Sequence, residues 1–200
     1  VAVASFFWGA YLGDEGLTNG VNIVISPWKR LSLDAFAPSA KASGQYLNSM
    51  LAVQDARERG YDEALLLNQQ GHIAEGSGQN IFIVKDNIIY TNGESASILM
   101  GITRSSIIQL CKNLQYSIKI TDLTKEMLIN ADEAFFTGSA TEVTPIASVD
   151  DILIGDGKPG TITLELKELY SRIVHGKERQ YIDWLSYVKS SVANEEPALV

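Results

Sequence analysis

One lysine lies among small residues in a segment that carries no acidic partner for it. Lys41 belongs to the stretch 37–46, between a strand-rich region and the first helical pattern, and its neighbours are Ala40, Ala42, Ser43 and Gly44. A partly desolvated lysine has a lowered pKa and becomes an amine nucleophile, which Schiff-base chemistry on a carbonyl or on pyridoxal phosphate requires. An isolated lysine is usually an ordinary surface residue, so the interpretation depends on the residues that accompany it.

A carboxylate and two small-residue turns could complete such a site. Glu75 is followed by glycine at two of the next three positions and lies at the mouth of a predicted strand, where it could pair with a protonated pyridine nitrogen. Gly101-Ile102-Thr103 at a predicted helix start and Gly138-Ser139-Ala140 in a turn could bind phosphate or carboxylate through backbone N–H groups. Each signal is weak alone, because a lone glutamate is more often solvated and a Gly-Ile-Thr start is usually only a cap.

Composition narrows the class of protein. The 200 residues are 46% hydrophobic and 20% charged, which predicts one well-cored globular domain. The net charge of −8 makes nucleic acid an unfavourable partner. No apolar run approaches the roughly 18 residues of a membrane-spanning helix, and no leader pattern opens the chain. We therefore expect a cytoplasmic protein with no membrane partner.

The cysteine and the histidines predict neither a disulfide nor a metal site. Cys111 is the single cysteine, which fits a reducing compartment, and it falls on the apolar face of a predicted helix as a buried small hydrophobe. His72 and His175 are far apart in the sequence and have no partners at ligand spacing. Both histidines are expected on the surface.

Alternating and helical periodicities predict a mixture of strands and helices. A helix is expected over 46–60 with an apolar stripe of Tyr46, Met50 and Val53, and a second is expected to begin at a Thr103 cap. A further short helix is capped by Thr124, and the last main helix covers 162–173. A polar turn is expected over 13–20, and strands are predicted at 1–11, 21–26, 63–68, 81–84, 88–91, 117–121, 134–137, 143–149 and 152–154.

Six strings of the chain, in the same order, resemble the branched-chain amino acid aminotransferases, which are fold-type IV pyridoxal-phosphate enzymes. The similarity runs from about residue 7 to 187, and a chance match of so many spaced motifs is remote. The chain is therefore identified as a member of this family. The strings are residues 40–49, 60–64, 75–82, 101–104, 131–135 and 137–145.

The resemblance implies a pyridoxal 5′-phosphate site with assigned roles. Lys41 would form the Schiff base with the cofactor and move the proton between the amino acid's α-carbon and the cofactor's C4′. Glu75 would contact the pyridine nitrogen, Tyr46 would hydrogen-bond the phenolic oxygen, and Leu99 would pack on the ring. The phosphate would be bound by Ile102, Thr103 and Ser139.

The resemblance also implies the substrates. Ser139 and Ala140 would offer backbone amides to the substrate carboxylate, and Trp8 and Tyr11 would help to form an apolar side-chain pocket. We expect transamination between leucine, isoleucine or valine and 2-oxoglutarate. Ser139 stands where the family more often has threonine, which should leave the phosphate contact intact.

The implied fold is the large domain of the D-amino acid aminotransferase-like fold, an α+β pseudo-barrel of mixed or antiparallel strands with flanking helices. This domain would cover 1–188, with a C-terminal tail over 189–200. The family's small N-terminal domain, which supplies an arginine to the phosphate and another to the substrate carboxylate, is expected to be absent from the chain, so weak activity is predicted. A homodimer or higher homo-oligomer is implied. A D-amino acid aminotransferase, an aminodeoxychorismate lyase and an inactive large-domain fragment remain open as alternatives.

Overall fold

The computed structural model describes residues 4 and 11–187, and one mixed sheet lies at its centre. Within these residues the sheet has nine strands, in the order β3-β2-β1-β8-β7-β4-β5-β6, with β9 paired to β8. β1 is parallel to β2 and β8, β5 is parallel to β6, and the other pairs are antiparallel. The strands are β1 Val21–Ile25, β2 Glu63–Leu67, β3 Ile73–Gly76, β4 Asn80–Lys85, β5 Ile88–Thr91, β6 Ser117–Ile120, β7 Glu133–Gly138, β8 Glu142–Val149 and β9 Ile152–Leu153.

Helices flank this sheet, so the predicted α+β pseudo-barrel is confirmed. None of the helices in the described ranges is long and apolar enough to cross a membrane. Short 3₁₀ turns lie at Ser43–Gln45, Glu94–Ala96 and Arg179–Trp184. The α-helices are α1 Gly13–Asn19, α2 Tyr46–Glu58, α3 Ile102–Asn113, α4 Lys125–Ile129 and α5 Thr161–Val174.

Two helix starts are stabilised by side chains that accept backbone N–H bonds. Thr124 caps α4 as predicted, since its hydroxyl accepts from the Met127 amide at 3.2 Å. The carboxylate of Glu133 on β7 accepts from the amides of Ile162 and Thr163 at 3.1 and 2.7 Å. A carboxylate at a helix N-terminus also interacts favourably with the helix dipole. Glu133 therefore joins the start of α5 to the sheet.

Both faces of the central strands are buried, which explains why those strands are continuously apolar in the sequence. Successive side chains of β4 point to opposite faces: Ile81 and Ile83 join one core cluster, whereas Phe82 and Val84 join the other. The second cluster packs against α3 and α5. Cys111 of α3 lies in it, fully buried as predicted, and burial raises the pKa of its thiol to about 12.

The predicted apolar stripe of α2 is wrong. The residues that α2 buries are Ser49, Ala52 and Ala56, and the side chain of Met50 is 61% exposed. Small residues on the buried face allow α2 to pack closely on β1 and β2, and the larger side chains point away from the sheet.

The predicted turn over 13–20 is also wrong, because this segment forms helix α1. Gly16 lies so close to Val21 that a Cβ on it would collide with the valine side chain. Packing of α1 against β8 thus overrides the local turn signals. Of the predicted first strand, only residues 4 and 11 are among the described residues, and Tyr11 lies in a turn.

Candidate active site

Lys41 lies between an irregular connection after β1 and the 3₁₀ turn that leads into α2. Gln45 braces this segment, since its side-chain amide donates to the Ala40 carbonyl at 2.7 Å. The Lys41 amine lies 5.8 Å from the centre of the Tyr46 ring. The side chain is exposed, so the expected partial desolvation is not present: the small residues on either side of Lys41 do not cover it.

Gly78 lines three neighbouring cavities, and Lys41 lines two of them. The first, of about 290 Å³, extends from Lys41 to the start of α3 and the end of β7. The second, of about 330 Å³, is also lined by Lys41 and includes Tyr11, Tyr46 and Ala140. The third, of about 30 Å³, contains Glu75 and Tyr46. The site is thus a set of cavities that share lining residues around the turn between β3 and β4.

Glu75 lies within β3, one residue before its end, and the residue is only 4% exposed. Arg30 forms an ion pair with it, with 2.8 Å between Arg30 Nε and Glu75 Oε1. The other oxygen accepts from Asn80 Nδ2 at 3.2 Å and from the Leu99 amide at 3.1 Å. Burial raises the pKa of Glu75 to about 7, although Arg30 and the Leu99 amide lower it. A buried carboxylate of this kind is a strong partner for an incoming cationic N–H group.

The far end of the first cavity is the N-terminus of α3. The N-cap is Gly101, and Thr103 is the second helical residue, so the predicted Thr103 cap is wrong. Thr103 is buried and its hydroxyl lies 3.5 Å from that of Tyr170. Gly101 leaves no room for a side chain, because a Cβ there would collide with Asn80 Oδ1. The free N–H groups of a first helical turn bind anions, and this turn opens into the cavity.

The turn between β7 and β8 forms another wall of the same space. Ser139 and Ala140 are exposed there, while Thr137 and Thr141 on either side are buried. The hydroxyls of both threonines have no hydrogen-bond partner among the described residues. Buried hydroxyls are normally paired, so this wall holds unused hydrogen-bonding capacity at the cavity.

Comparison with protein families decides how this arrangement is classified. The family model of amino-transferase class IV matches residues 1–149. The chain belongs to the class IV aminotransferase family. No group of acidic, histidine or cysteine side chains that could hold a metal ion occurs in the part of this class IV chain that the structure describes.

Individual relatives agree with the motif resemblance. The chain is 43% identical over 189 residues to the branched-chain-amino-acid aminotransferase of Pseudomonas aeruginosa, covering 94% of this chain and 61% of that protein. A crystal structure of the branched-chain aminotransferase from Thermoproteus uzoniensis with norvaline matches with a TM-score of 0.86 and 41% identity, covering 92% and 59%. The enzyme from Thermobaculum terrenum, solved in its PLP form, matches with a TM-score of 0.81 and 36% identity, covering 83% and 54%. The chain thus spans between 54% and 61% of the length of these relatives.

Within this class IV fold, the residues singled out from the sequence come together with one exception. Lys41, which lines both larger cavities, stands between Tyr46 and the start of α3. Trp8 lies outside the described residues. The first cavity contains Lys41, Leu99, Ile102, Thr103 and Ser139; the second contains Lys41, Tyr11, Tyr46, Ser139 and Ala140; and the third contains Tyr46, Glu75 and Leu99.

Sequence reasoning missed the residues that hold Glu75 and the adjoining turn. Arg30 comes from the irregular connection, where nothing local marks it as a partner of a residue 45 positions later. Asn80 joins Glu75 to the Leu99 carbonyl, to which it donates at 2.8 Å. The one available signal was the placement of Asn80 inside the 75–82 string, at the start of β4.

Proposed function

We propose that the protein is a pyridoxal 5′-phosphate-dependent aminotransferase that exchanges the amino group of a branched-chain L-amino acid with 2-oxoglutarate. The observation that carries this proposal is the position of Lys41, whose side chain lines both a cavity ending at a helix N-terminus and a second cavity beside Tyr11. A lysine amine at such a junction can react with a phosphate-anchored aldehyde on one side and receive a substrate on the other.

The residues present fit this cofactor. The first turn of α3 supplies N–H donors for a phosphate, and Gly101 keeps that approach free of a side chain. Glu75 supplies a buried carboxylate for a ring nitrogen. Thr137 supplies a buried hydroxyl without a partner in the described chain. The cavity of about 290 Å³ is near the lower end of the range for small-molecule sites.

Each side chain then has a definite task. Lys41 Nζ would hold the cofactor through its aldehyde carbon, and as a free amine it would take up the proton that leaves the substrate α-carbon. Glu75 would accept a hydrogen bond from the ring N–H and favour its protonated state, while Arg30 lowers the pKa of the Glu75 carboxyl group and so favours its ionised form. Bound pyridoxal phosphate supplies the electron sink for the α-carbon. Tyr46 would hold the ring by a hydrogen bond to its phenolic oxygen.

Substrate recognition is assigned to the second cavity. The backbone amides of Ser139 and Ala140 would bind the substrate carboxylate, and Tyr11 would contact the substrate side chain. The same role for Trp8 rests on the motif resemblance alone. An apolar pocket discriminates one methylene by only about 1–3 kcal/mol, so leucine, isoleucine and valine should all be accepted.

We also infer a homodimer in the cytoplasm. Support for self-association comes from α2, where Leu47, Met50 and Leu51 leave large apolar surfaces exposed next to the site. Support for a reducing compartment comes from the single cysteine. The extension of one cofactor-binding domain to residue 188 remains a prediction.

The experiment that tests the function is a half-reaction. The purified chain is loaded with pyridoxal 5′-phosphate, and its near-visible absorbance is followed after L-leucine, D-alanine or buffer is added. The proposal predicts a concentration-dependent loss of the band with L-leucine and recovery with 2-oxoglutarate. A response to D-alanine in place of L-leucine would favour a D-amino acid aminotransferase, and no response to either would contradict transamination.

A further inference from the structure

A buried carboxylate on β2 lies outside the roles assigned so far. Glu63 is the first residue of that strand and is 0% exposed. Its Oε1 accepts from the Ala64 amide at 2.7 Å, and its Oε2 accepts from Ser77 Oγ at 2.9 Å and Gln79 Nε2 at 2.8 Å. Among the described residues no lysine, arginine or histidine forms an ion pair with it. Burying a carboxylate without a counter-charge is unfavourable, and burial raises the pKa of Glu63.

The hydrogen bonds of Glu63 converge on the turn that separates β3 from β4. Gln79 lies at the centre of that turn's bonding: its Nε2 donates to Glu63, and its Oε1 accepts from the Gly78 amide at 3.0 Å. Its backbone carbonyl accepts from the Gly76 amide at 2.8 Å. Gly76 also lies so close to the Gln79 side chain that a Cβ there would collide with Oε1. Only one orientation of the Gln79 side-chain amide therefore lets its nitrogen donate to Glu63 and its oxygen accept from the Gly78 amide.

The position of this turn determines the shape of the candidate site. Gly78 lines all three cavities, and Gln79 lines two of them. Glu63 lines none of them, so it would act on a ligand only through the turn. A displacement of about 1 Å in a site wall can cost about 100-fold in function.

We propose that Glu63 is a positioning residue of the cofactor site, which acts through Gln79 to fix Gly78 beside Lys41. This inference rests on the proposed function, because it concerns the same site. Glu63→Gln should disturb the turn without changing the size of the side chain. The variant then has two side-chain amides in contact, one at position 63 and one at Gln79. In every combination of their orientations an N–H group points at another N–H group, either between the two side chains or at the backbone amide of Ala64 or Gly78.

A reciprocal exchange separates positioning from general stability. In Glu63→Gln/Gln79→Glu, the new carboxylate at position 79 can accept from the Gly78 amide and from the side-chain amide introduced at position 63. The carbonyl oxygen of that introduced side chain then accepts from the Ala64 amide. The matched control is Glu133→Gln, which also alters a carboxylate that accepts three hydrogen bonds, at the opposite end of β7 from the cavity. Five residues of strand place Glu133 about 17 Å from Gly138.

The measurement is the Kd for pyridoxal 5′-phosphate, obtained by near-visible absorbance titration of each variant, with folding checked by circular dichroism. We expect Glu63→Gln to raise Kd by about 10- to 100-fold. The reciprocal exchange should return Kd to within about threefold of the wild type, and Glu133→Gln should lower thermal stability with Kd unchanged. If Glu63→Gln does not fold, Gln79→Met takes its place with the same expected loss.

Several results would overturn the inference. Wild-type affinity in Glu63→Gln, or in Gln79→Met where that variant replaces it, would show that the turn does not depend on the carboxylate. A folded reciprocal variant that binds as weakly as Glu63→Gln would show that the effect does not pass through Gln79. A wild-type chain that develops no absorbance band would overturn the proposed function as well, whereas equal bands in wild type and Glu63→Gln overturn only this inference.

Discussion

Replacing the carboxyl group of Glu75 by an amide of the same shape is expected to change how the stability of the cofactor-free protein depends on pH. Burial raises the pKa of Glu75 from a reference value of 4.5 to about 7. At pH values between 4.5 and about 7, Glu75 keeps its proton in the folded protein and releases it in the unfolded chain. The contribution of Glu75 to the free energy of unfolding is therefore present at low pH and is lost as the pH rises towards about 7.

The size of the effect follows from the separation of the two pKa values. One pKa unit corresponds to about 1.4 kcal/mol, so the wild type should lose about 2–3 kcal/mol from this group between about pH 5 and pH 8. Glu75→Gln has no titrating group at this position and loses nothing from it. Urea unfolding of both proteins at the two pH values measures the difference in their free energies of unfolding. Relative to the wild type, the variant should be more stable at the higher pH than at the lower one.

Asp132→Asn is the control for this experiment. The pKa of Asp132 is lowered by hydrogen bonds from Lys85 and from the Asp86 amide, so its stabilising contribution is lost only at more acidic pH. The control variant should differ from the wild type by the same free energy at about pH 5 and pH 8. If Glu75→Gln also shows a constant difference, Glu75 does not titrate in this window and the reasoning from its burial is refuted.

Three further predictions concern the surroundings of the site. Arg30→Met removes the ion-pair partner of Glu75 and should lower the free energy of unfolding by about 3–5 kcal/mol at about pH 8, with a smaller loss at pH 5, as measured in urea; equal losses would contradict this. Gly101→Ala should raise the Kd for pyridoxal 5′-phosphate about tenfold or more in absorbance titrations, because the new Cβ would displace Asn80. The control Gly44→Ala should bind the cofactor normally, because a Cβ at position 44 would point into open space. Glu133→Ala should destabilise the protein by about 1–2 kcal/mol in thermal unfolding through loss of the α5 cap, without affecting cofactor binding.

The long amphipathic helix α5 and the described strands other than β3 were predictable because their patterns are strong and local, whereas no strand was expected at Ile73–Gly76. Buried strands such as β4 are continuously apolar, and α5 carries its apolar stripe at helical spacing. The position of helix α2 was predicted correctly, but its buried face was predicted wrongly. The helix packs closely on the sheet through Ala52 and Ala56, and the larger Met50 points away from it. Helix α1 was missed because its stability comes from packing on β8.

The site shows the same division between local and non-local signals. Lys41 was found because it lies in a run of small residues, and the start of α3 was found because Gly101-Ile102-Thr103 precedes an apolar pattern at helical spacing. The exposure of Lys41 and the pairing of Glu75 with Arg30 could not be predicted, because both depend on chain segments that only the fold brings together. Glu63 belongs to this second group, since its partners lie 14 and 16 residues away across the β2–β3 pair and the turn that follows it.

Covalent capture of the cofactor by one lysine is the property on which the proposed function most directly depends. The measurement is borohydride reduction of the chain in the presence of pyridoxal 5′-phosphate, followed by peptide mapping of the attached group. We expect attachment at Lys41 in the wild type and no attachment in Lys41→Ala. Lys29→Ala is the control, because Lys29 donates to the Gln69 carbonyl away from the cavities, and this variant should still be labelled at Lys41. Attachment at another lysine, or undiminished attachment in Lys41→Ala, would contradict it.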